Sequence, residues 1–119
     1  MCDHTKLRAY ELADEIALII YQITQSFPKE EIYGLTSQMR RAAVSVPSNI
    51  VEGCARESQQ EYLRFLEIAF GSLRELRYQL GLAQRLGYSI AEGVTSECEQ
   101  KLMEAEKVLN ALVRSMRAS

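Results

Sequence analysis

The chain has no tryptophan, one histidine, two prolines and three cysteines among its 119 residues. Each shortage excludes something. With His4 as the sole imidazole, a Ser-His-Asp or Cys-His site would have to be built on the first few residues, a poor place to hold the required geometry. The paired Glu-x-x-His motifs of di-metal helical bundles cannot be written with one histidine. There is no Walker A loop and no GxGxxG. The glutamates fall mostly at helix positions expected to face solvent. No catalytic, cofactor-binding or metal-binding residue can be named, and the expectation is a protein that is not an enzyme and carries no cofactor.

Long hydrophobic runs are also missing. The longest near the start is IALII at 16–20, far below the roughly 20 residues that span a bilayer. The opening MCDHTK lacks the apolar core of a signal peptide. A cytoplasmic address and no membrane association follow as expectations. Cys2, Cys54 and Cys98 are odd in number and have no metal-like spacing. They are read as reduced thiols, with Cys54 and Cys98 packed against helices. The net charge of −2 supplies no global basic field to draw the chain onto nucleic acid, although local patches remain open. Apolar residues make up 47% and charged residues 25%, the composition of one globular domain over residues 1–119.

What is present is helical periodicity. Leu7, Tyr10, Ala13, Ile16, Ala17, Ile20 and Ile23 repeat at the three- and four-residue steps of a buried helix face, predicting a helix over about 5–26. Leu12 and Ile19 widen that stripe, which suits either a central bundle helix or an added contact between subunits. Phe27-Pro28 ends it. A second helix is predicted over 35–56, with Met39, Ala42, Ala43, Val46, Ile50 and Gly53 on one face. Ser58 and Glu61 have the spacing of a capping box and open a third helix over 58–86. A fourth is predicted over 90–117, with Ser89 and Ser96 as competing starts. Its seam of Cys98, Leu102, Ala105, Leu109, Leu112 and Met116 alternates steps of four and three. No stretch sustains a strand's period of two. The fold expected is all-α, an antiparallel up-down four-helix bundle.

The second helix is unusual. Pro47 lacks the N–H that would serve the carbonyl of Ala43. Either the helix kinks there and continues, with Ser45, Ser48 or Asn49 serving the freed backbone, or it breaks and restarts at Ser48 or Asn49. The kinked reading leaves a polar stripe of Gln38, Arg41, Ser45, Asn49, Glu52 and Arg56 beside the apolar one. These residue types build hydrogen-bond networks of defined geometry. Ser72, Glu75 and Gln79 on the third helix offer partners, and Gly71 would let the helices approach. The network expected pairs Arg41 or Arg56 with Glu75 and sends Asn49 and Glu52 across to Ser72 or Gln79. Removing Glu52 would then cost about 1–3 kcal/mol. The stripe serves packing, within or between subunits, or else contacts a ligand.

At these residues the sequence resembles a known family. FPKEEIYGLTSQMRRAAVSVPSNIVEGCAR followed by EYLRFLEIAFGSLRELRYQL is similar to the small four-helix-bundle proteins of bacterial 23S rRNA intervening sequences. The likeness rests on Phe27-Pro28, Glu31, Gly34-Leu35, Gln38, Arg40-Arg41-Ala42, Ser45-Val46-Pro47, Asn49-Ile50 and Glu52-Gly53. It continues through Phe65-Leu66, Ala69, Gly71-Ser72, Glu75-Leu76 and Gln79-Leu80, covering about residues 7–88. The resemblance implies an antiparallel four-helix bundle assembled as a ring-shaped homopentamer, with no settled biochemical function. A related branch, the accessory proteins of diversity-generating retroelements, is basic and resembles partners of nucleic acid and reverse transcriptase. The mild acidity of this chain departs from that branch and argues against strong RNA or DNA binding. A local patch is nevertheless available. Arg74, Arg77, Tyr78 and Arg85 share one side of the third helix, where arginines hold phosphate and an aromatic stacks a base. Arg40, Arg114 and Arg117 would extend it. RNA or DNA and a protein partner are the two classes of target left open, against the reading of a merely solvated face.

Overall fold

Helix starts and stops in this chain are written by a few side chains. In the computed structural model, which describes residues 1–118, the Asp3 carboxylate accepts from the Thr5 backbone N–H and hydroxyl and closes a single 3₁₀ turn, His4–Lys6. Helix α1 follows over Arg8–Thr24. The Thr24 hydroxyl donates back to the Ile20 carbonyl at 2.7 Å, and Phe27-Pro28 turns the chain into a second short turn, Lys29–Glu31. Helix α2 spans Leu35–Cys54. Its Gly34 cap has no side chain to offer, and Glu31 takes that role by accepting from the Leu35 N–H at 2.9 Å. Helix α3 spans Gln59–Arg85, with Ser58 Oγ accepting from the Glu61 N–H at 3.1 Å. Helix α4 spans Val94–Ala118.

These four helices form an all-α bundle, with no strand among the described residues. α2 passes through Pro47 without interruption, so the broken-helix reading is excluded. The fourth helix begins later than expected. Gly93 adopts a φ of +83°, the left-handed region that favours glycine, and neither Ser89 nor Ser96 caps the helix. The Ser89 carbonyl instead accepts from the Ser26 hydroxyl at 2.6 Å.

Cross-helix contacts run in reverse sequence order, which makes neighbours antiparallel. Along α2 and α3, Arg41 meets Glu75 and Ser45 meets Ser72, while Gly53 lies against Tyr62 and Phe65. Along α3 and α4, Gln84 meets Glu99, Arg77 meets Glu106, and Glu67 meets Arg117. α1 packs on α2 and α4, and α3 packs on the same two, so α1 and α3 stand diagonally opposed. The bundle is 45 Å long, and the 27 residues of α3 account for about 40 Å of that at 1.5 Å per residue.

The core is filled from all four helices, with Leu12, Ile16, Met39, Ile50, Leu66, Leu73, Leu102 and Leu109 fully buried. Leu12 and Ile19 are buried within the chain, so two neighbours, α2 and α4, explain the wide stripe on α1. The seam on α4 also needs correction. Leu112 and Met116 are only half-buried, and Val113 takes the inward position. A straight helix drifts about 20° per heptad against a 3.5-residue repeat, which by the last turns moves the inward position one residue on.

The cysteines depart from expectation too. Cys2 and Cys54 are joined by a disulfide, and only Cys98 is free. Residues 1–7 lie along the C-terminal end of α2, a return path that cysteine counting does not reveal. Among the described residues no helix is long and apolar enough to cross a membrane.

One carboxylate, Glu31, ties two connections to the bundle, and another, Glu15, ties α1 to α4. The Leu35 N–H and then the Tyr88 hydroxyl hold the Glu31 carboxyl below its ordinary range. The Lys101 ammonium, 2.8 Å away, does the same for Glu15. Both groups bind protons less tightly folded than unfolded. Their stabilisation is therefore full above the ordinary carboxylate range and is lost as pH falls through the lowered folded values. Acid titration followed by circular dichroism should show Glu31→Gln losing less stability than the parent chain across that interval.

Candidate functional site at the α2–α3 seam and the arginine face of α3

The polar stripe on α2 resolves into three separate groups. At the end near the 29–34 turn, Arg41 Nη2 donates to Glu75 Oε2 at 2.6 Å and to Gln38 Oε1 at 3.1 Å. Gln79 Nε2 donates to the same Glu75 oxygen at 3.0 Å. One carboxylate on α3 thus gathers an arginine and an amide from both helices. Gln79 is itself buried, and its Oε1 has no hydrogen-bond partner. In the middle, the Ser45 and Ser72 hydroxyls are 2.8 Å apart, the contact that small residues permit where two helices lie close. Asn49 Nδ2 donates to the Ser45 carbonyl at 2.8 Å and to its hydroxyl at 3.0 Å.

The expected partners of Asn49 and Glu52 are therefore not the observed ones. Asn49 stays on α2 and serves Ser45 rather than the carbonyl of Ala43. Glu52 pairs with Arg56, which lies just past the end of α2 rather than within it as expected, at 2.7 Å, and Arg56 does not reach Glu75 but stacks over Phe65. The hydrogen bonds that cross to α3 come from Arg41 and Ser45. An exposed pair four residues apart is worth a few tenths of a kcal/mol, so Glu52→Ala should shift a thermal melt by no more than about 2 °C. A larger shift would show that Glu52 makes a contact beyond Arg56.

Gly71 is not where the helices approach. A side chain there would meet nothing within 4 Å. The close approach is at Gly53, where an added Cβ would lie 3.0 Å from Cβ of Phe65 and 3.1 Å from Cδ1 of Tyr62.

The arginines do not form one continuous face. Arg77 Nη1 lies 2.6 Å from Glu106 Oε2, and Arg74 Nε lies 3.7 Å from Glu106 Oε1. Both turn toward α4, around a carboxylate that is only 8% exposed. Arg85 reaches the other way, its guanidinium over the exposed Tyr78 ring at 5.8 Å from the centroid. Arg40 belongs to another surface altogether: it stacks over Tyr21 at 4.6 Å and donates to the Thr24 hydroxyl at 2.8 Å. Arg117 is paired with Glu67. A cavity of about 270 Å³ lies between α3 and α4, its lining including Phe70, Arg74, Arg77, Glu106, Lys107 and Asn110.

A family model described as 23S rRNA-intervening sequence protein matches residues 5–111. The chain belongs to that family. The match extends past residue 88, where the resemblance in the sequence ends, and takes in most of α4. Among solved structures, a protein of unknown function from the S23 ribosomal protein family of Bacteroides thetaiotaomicron shares the fold. Its TM-score is 0.77 over 89% of this chain and 95% of its own, at 22% identity. No curated protein matches.

In this 23S rRNA-intervening sequence protein the main residue missed in the sequence is Glu106. It had a signal. Glu106 stands four residues after Leu102 and three before Leu109, inside the inward stripe of α4. A carboxylate so placed requires cationic partners, and Arg74 and Arg77 supply them.

Proposed function

We propose that this member of the family is a non-catalytic, homo-oligomeric scaffold of the cytoplasm, its copies joined through the outer face of α1 and α2. The observation that carries this reading is an apolar surface left over once the core is full. Leu18 and Tyr21 on α1, and Val44 and Val51 on α2, are exposed. They share one face because Arg40, one turn before Val44, lies over Tyr21, one turn after Leu18. Exposed apolar residues grouped on adjacent helices mark a contact surface. Five copies is the number that the family resemblance implies.

Light scattering on a sizing column tests this. The expected mass is five times the 13.5 kDa chain, and Leu18→Glu combined with Val44→Glu should release single chains that keep their helical circular dichroism. A parent chain of 13.5 kDa overturns the proposal.

Association with RNA or DNA is the second reading, favoured by one observation: Tyr78, Arg85, Arg74 and Lys107 present cations and an aromatic ring on exposed turns of α3 and α4. Against it, Glu106 occupies two of the arginines. Titration with structured RNA at several salt concentrations separates the two readings, because phosphate contacts must strengthen as salt falls. No binding at low salt removes the second.

A further inference from the structure

We propose that Cys2 and Cys54 form a reversible redox site, a dithiol–disulfide couple that fastens the N-terminal strap, residues 1–6, over the end of α2 and frees it on reduction. This goes beyond the scaffold reading and stands independently of it.

The strap is held by little else. Besides the disulfide, the Cys2 N–H donates to the Cys54 carbonyl at 2.9 Å, and His4 meets the edge of Tyr10. The turn His4–Lys6 buries no side chain, and packing on the core begins only past it, with the half-buried Leu7 and then Ala9. Opening the bond therefore releases a segment that the core does not need, the condition for local rather than global unfolding. The two sulfurs also differ in access. Cys2 is an exposed residue, whereas Cys54 is 2% exposed. The remaining thiol cannot scramble the pair. Cys98 is fully buried near the start of α4, at the pole where Gln84 meets Glu99, while Cys54 lies at the opposite pole. Burial, then the neighbouring Glu97 and Glu99, push its thiol up to about 12.

The exchange balances with a small dithiol as reductant. One of its thiolates attacks Cys2 Sγ, the reachable sulfur. The Cys2–Cys54 bond breaks, and its electron pair leaves on Cys54 Sγ, which takes a proton. The second thiolate of the reductant then attacks its own sulfur in the mixed disulfide, releasing Cys2, which is protonated in turn, and the cyclic oxidised reductant. Two electrons and two protons pass to the protein, and the oxidised reductant drives the reverse. A reducing compartment holds such a pair open and an oxidising one closes it. Opening removes Met1 and Cys2 from one wall of a cavity of about 260 Å³ and uncovers Gly53, Arg56, Tyr62 and Met116 on the other.

The full chain equilibrated in mixtures of reduced and oxidised dithiothreitol tests this, with alkylation counted by intact mass. Cys2 and Cys54 should become open to alkylation together as the mixture turns reducing, and in portions left unalkylated they should re-close on oxidation, with far-ultraviolet circular dichroism unchanged. Cys98 should react only in denaturant. Hydrogen exchange at residues 4–6 should quicken by about tenfold or more on reduction, and Cys2→Ser should show that faster exchange even in oxidising buffer. Alkylation that appears only as the helices melt would make the bond a fixed staple and overturn the proposal. So would two thiols that stay free in every mixture, or an N-terminal exchange rate that ignores the redox state. Should Cys2→Ser fail to fold, the titration of the parent chain decides alone.

Discussion

Cys2→Ser should lower the stability of the oxidised protein by about 4 kcal/mol on the chain-entropy account of cross-links. The bond joins positions 52 residues apart, so in the unfolded chain it closes a long loop and removes many conformations. For a domain of this size that corresponds to roughly 15 °C in melting temperature. Reducing the parent chain should bring it down to the same melting temperature, and Cys2→Ser should not respond to the reductant at all. Cys54→Ser should fall further, because it also places a hydroxyl where the side chain is buried, at a cost of about 1–3 kcal/mol when unpaired. Thermal melts of the three chains with and without dithiothreitol check the order. Equal melting of oxidised and reduced parent would show that the bond constrains nothing in the unfolded state.

Two glycines, Gly53 on the α2–α3 seam and Gly71 on an open side of α3, should respond in opposite directions. Gly53→Leu forces a side chain against Phe65 and Tyr62, which already stand within 3.1 Å of the Cβ position. Parting α2 from α3 there should cost about 1–3 kcal/mol, as overpacking does. Gly71→Ala meets open space and should gain about 0.5–1 kcal/mol, because alanine loses less freedom than glycine in a helix interior. Urea unfolding monitored by circular dichroism measures both. A stabilised Gly53→Leu would mean that the end of α2 moves aside freely; a destabilised Gly71→Ala would mean that this open side is covered in the assembled protein.

Helices were the most legible part of the chain, because buried faces repeat every three or four residues and few other arrangements use that period. Ser58 and Glu61 announced the start of α3. The limits were less readable wherever the cap came from elsewhere in the chain, as with Glu31 for α2, or from a glycine's backbone angle, as with Gly93 for α4. In the polar stripe the sequence supplied which residues lie on the seam but not their partners. Residues three and four apart on α2 compete with residues on α3 for the same donors, and only side-chain reach decides. Arg41 is long and crosses; Glu52 finds Arg56 first. The arginines on α3 were misread for a related reason. A helix face read alone shows Arg74, Arg77 and Arg85 together, whereas Glu106 on α4 draws two of them away. The Cys2–Cys54 bond was the least legible feature, since nothing local places a terminal strap beside the end of a helix 52 residues on.

An even number of antiparallel helices brings the chain back to where it began. Cys2 touches the end of α2, and Gln59 at the start of α3 bonds to the Met116 carbonyl near the end of α4, so both ends of the described chain lie at one pole. The opposite pole holds the 25–34 and 86–93 connections. A fluorophore or fusion partner attached at either end is delivered to the same pole, leaving the other clear. If the copies form a ring by rotation alone, all such attachments fall on a single side of it, and the assembly has a labelled face and a blank one.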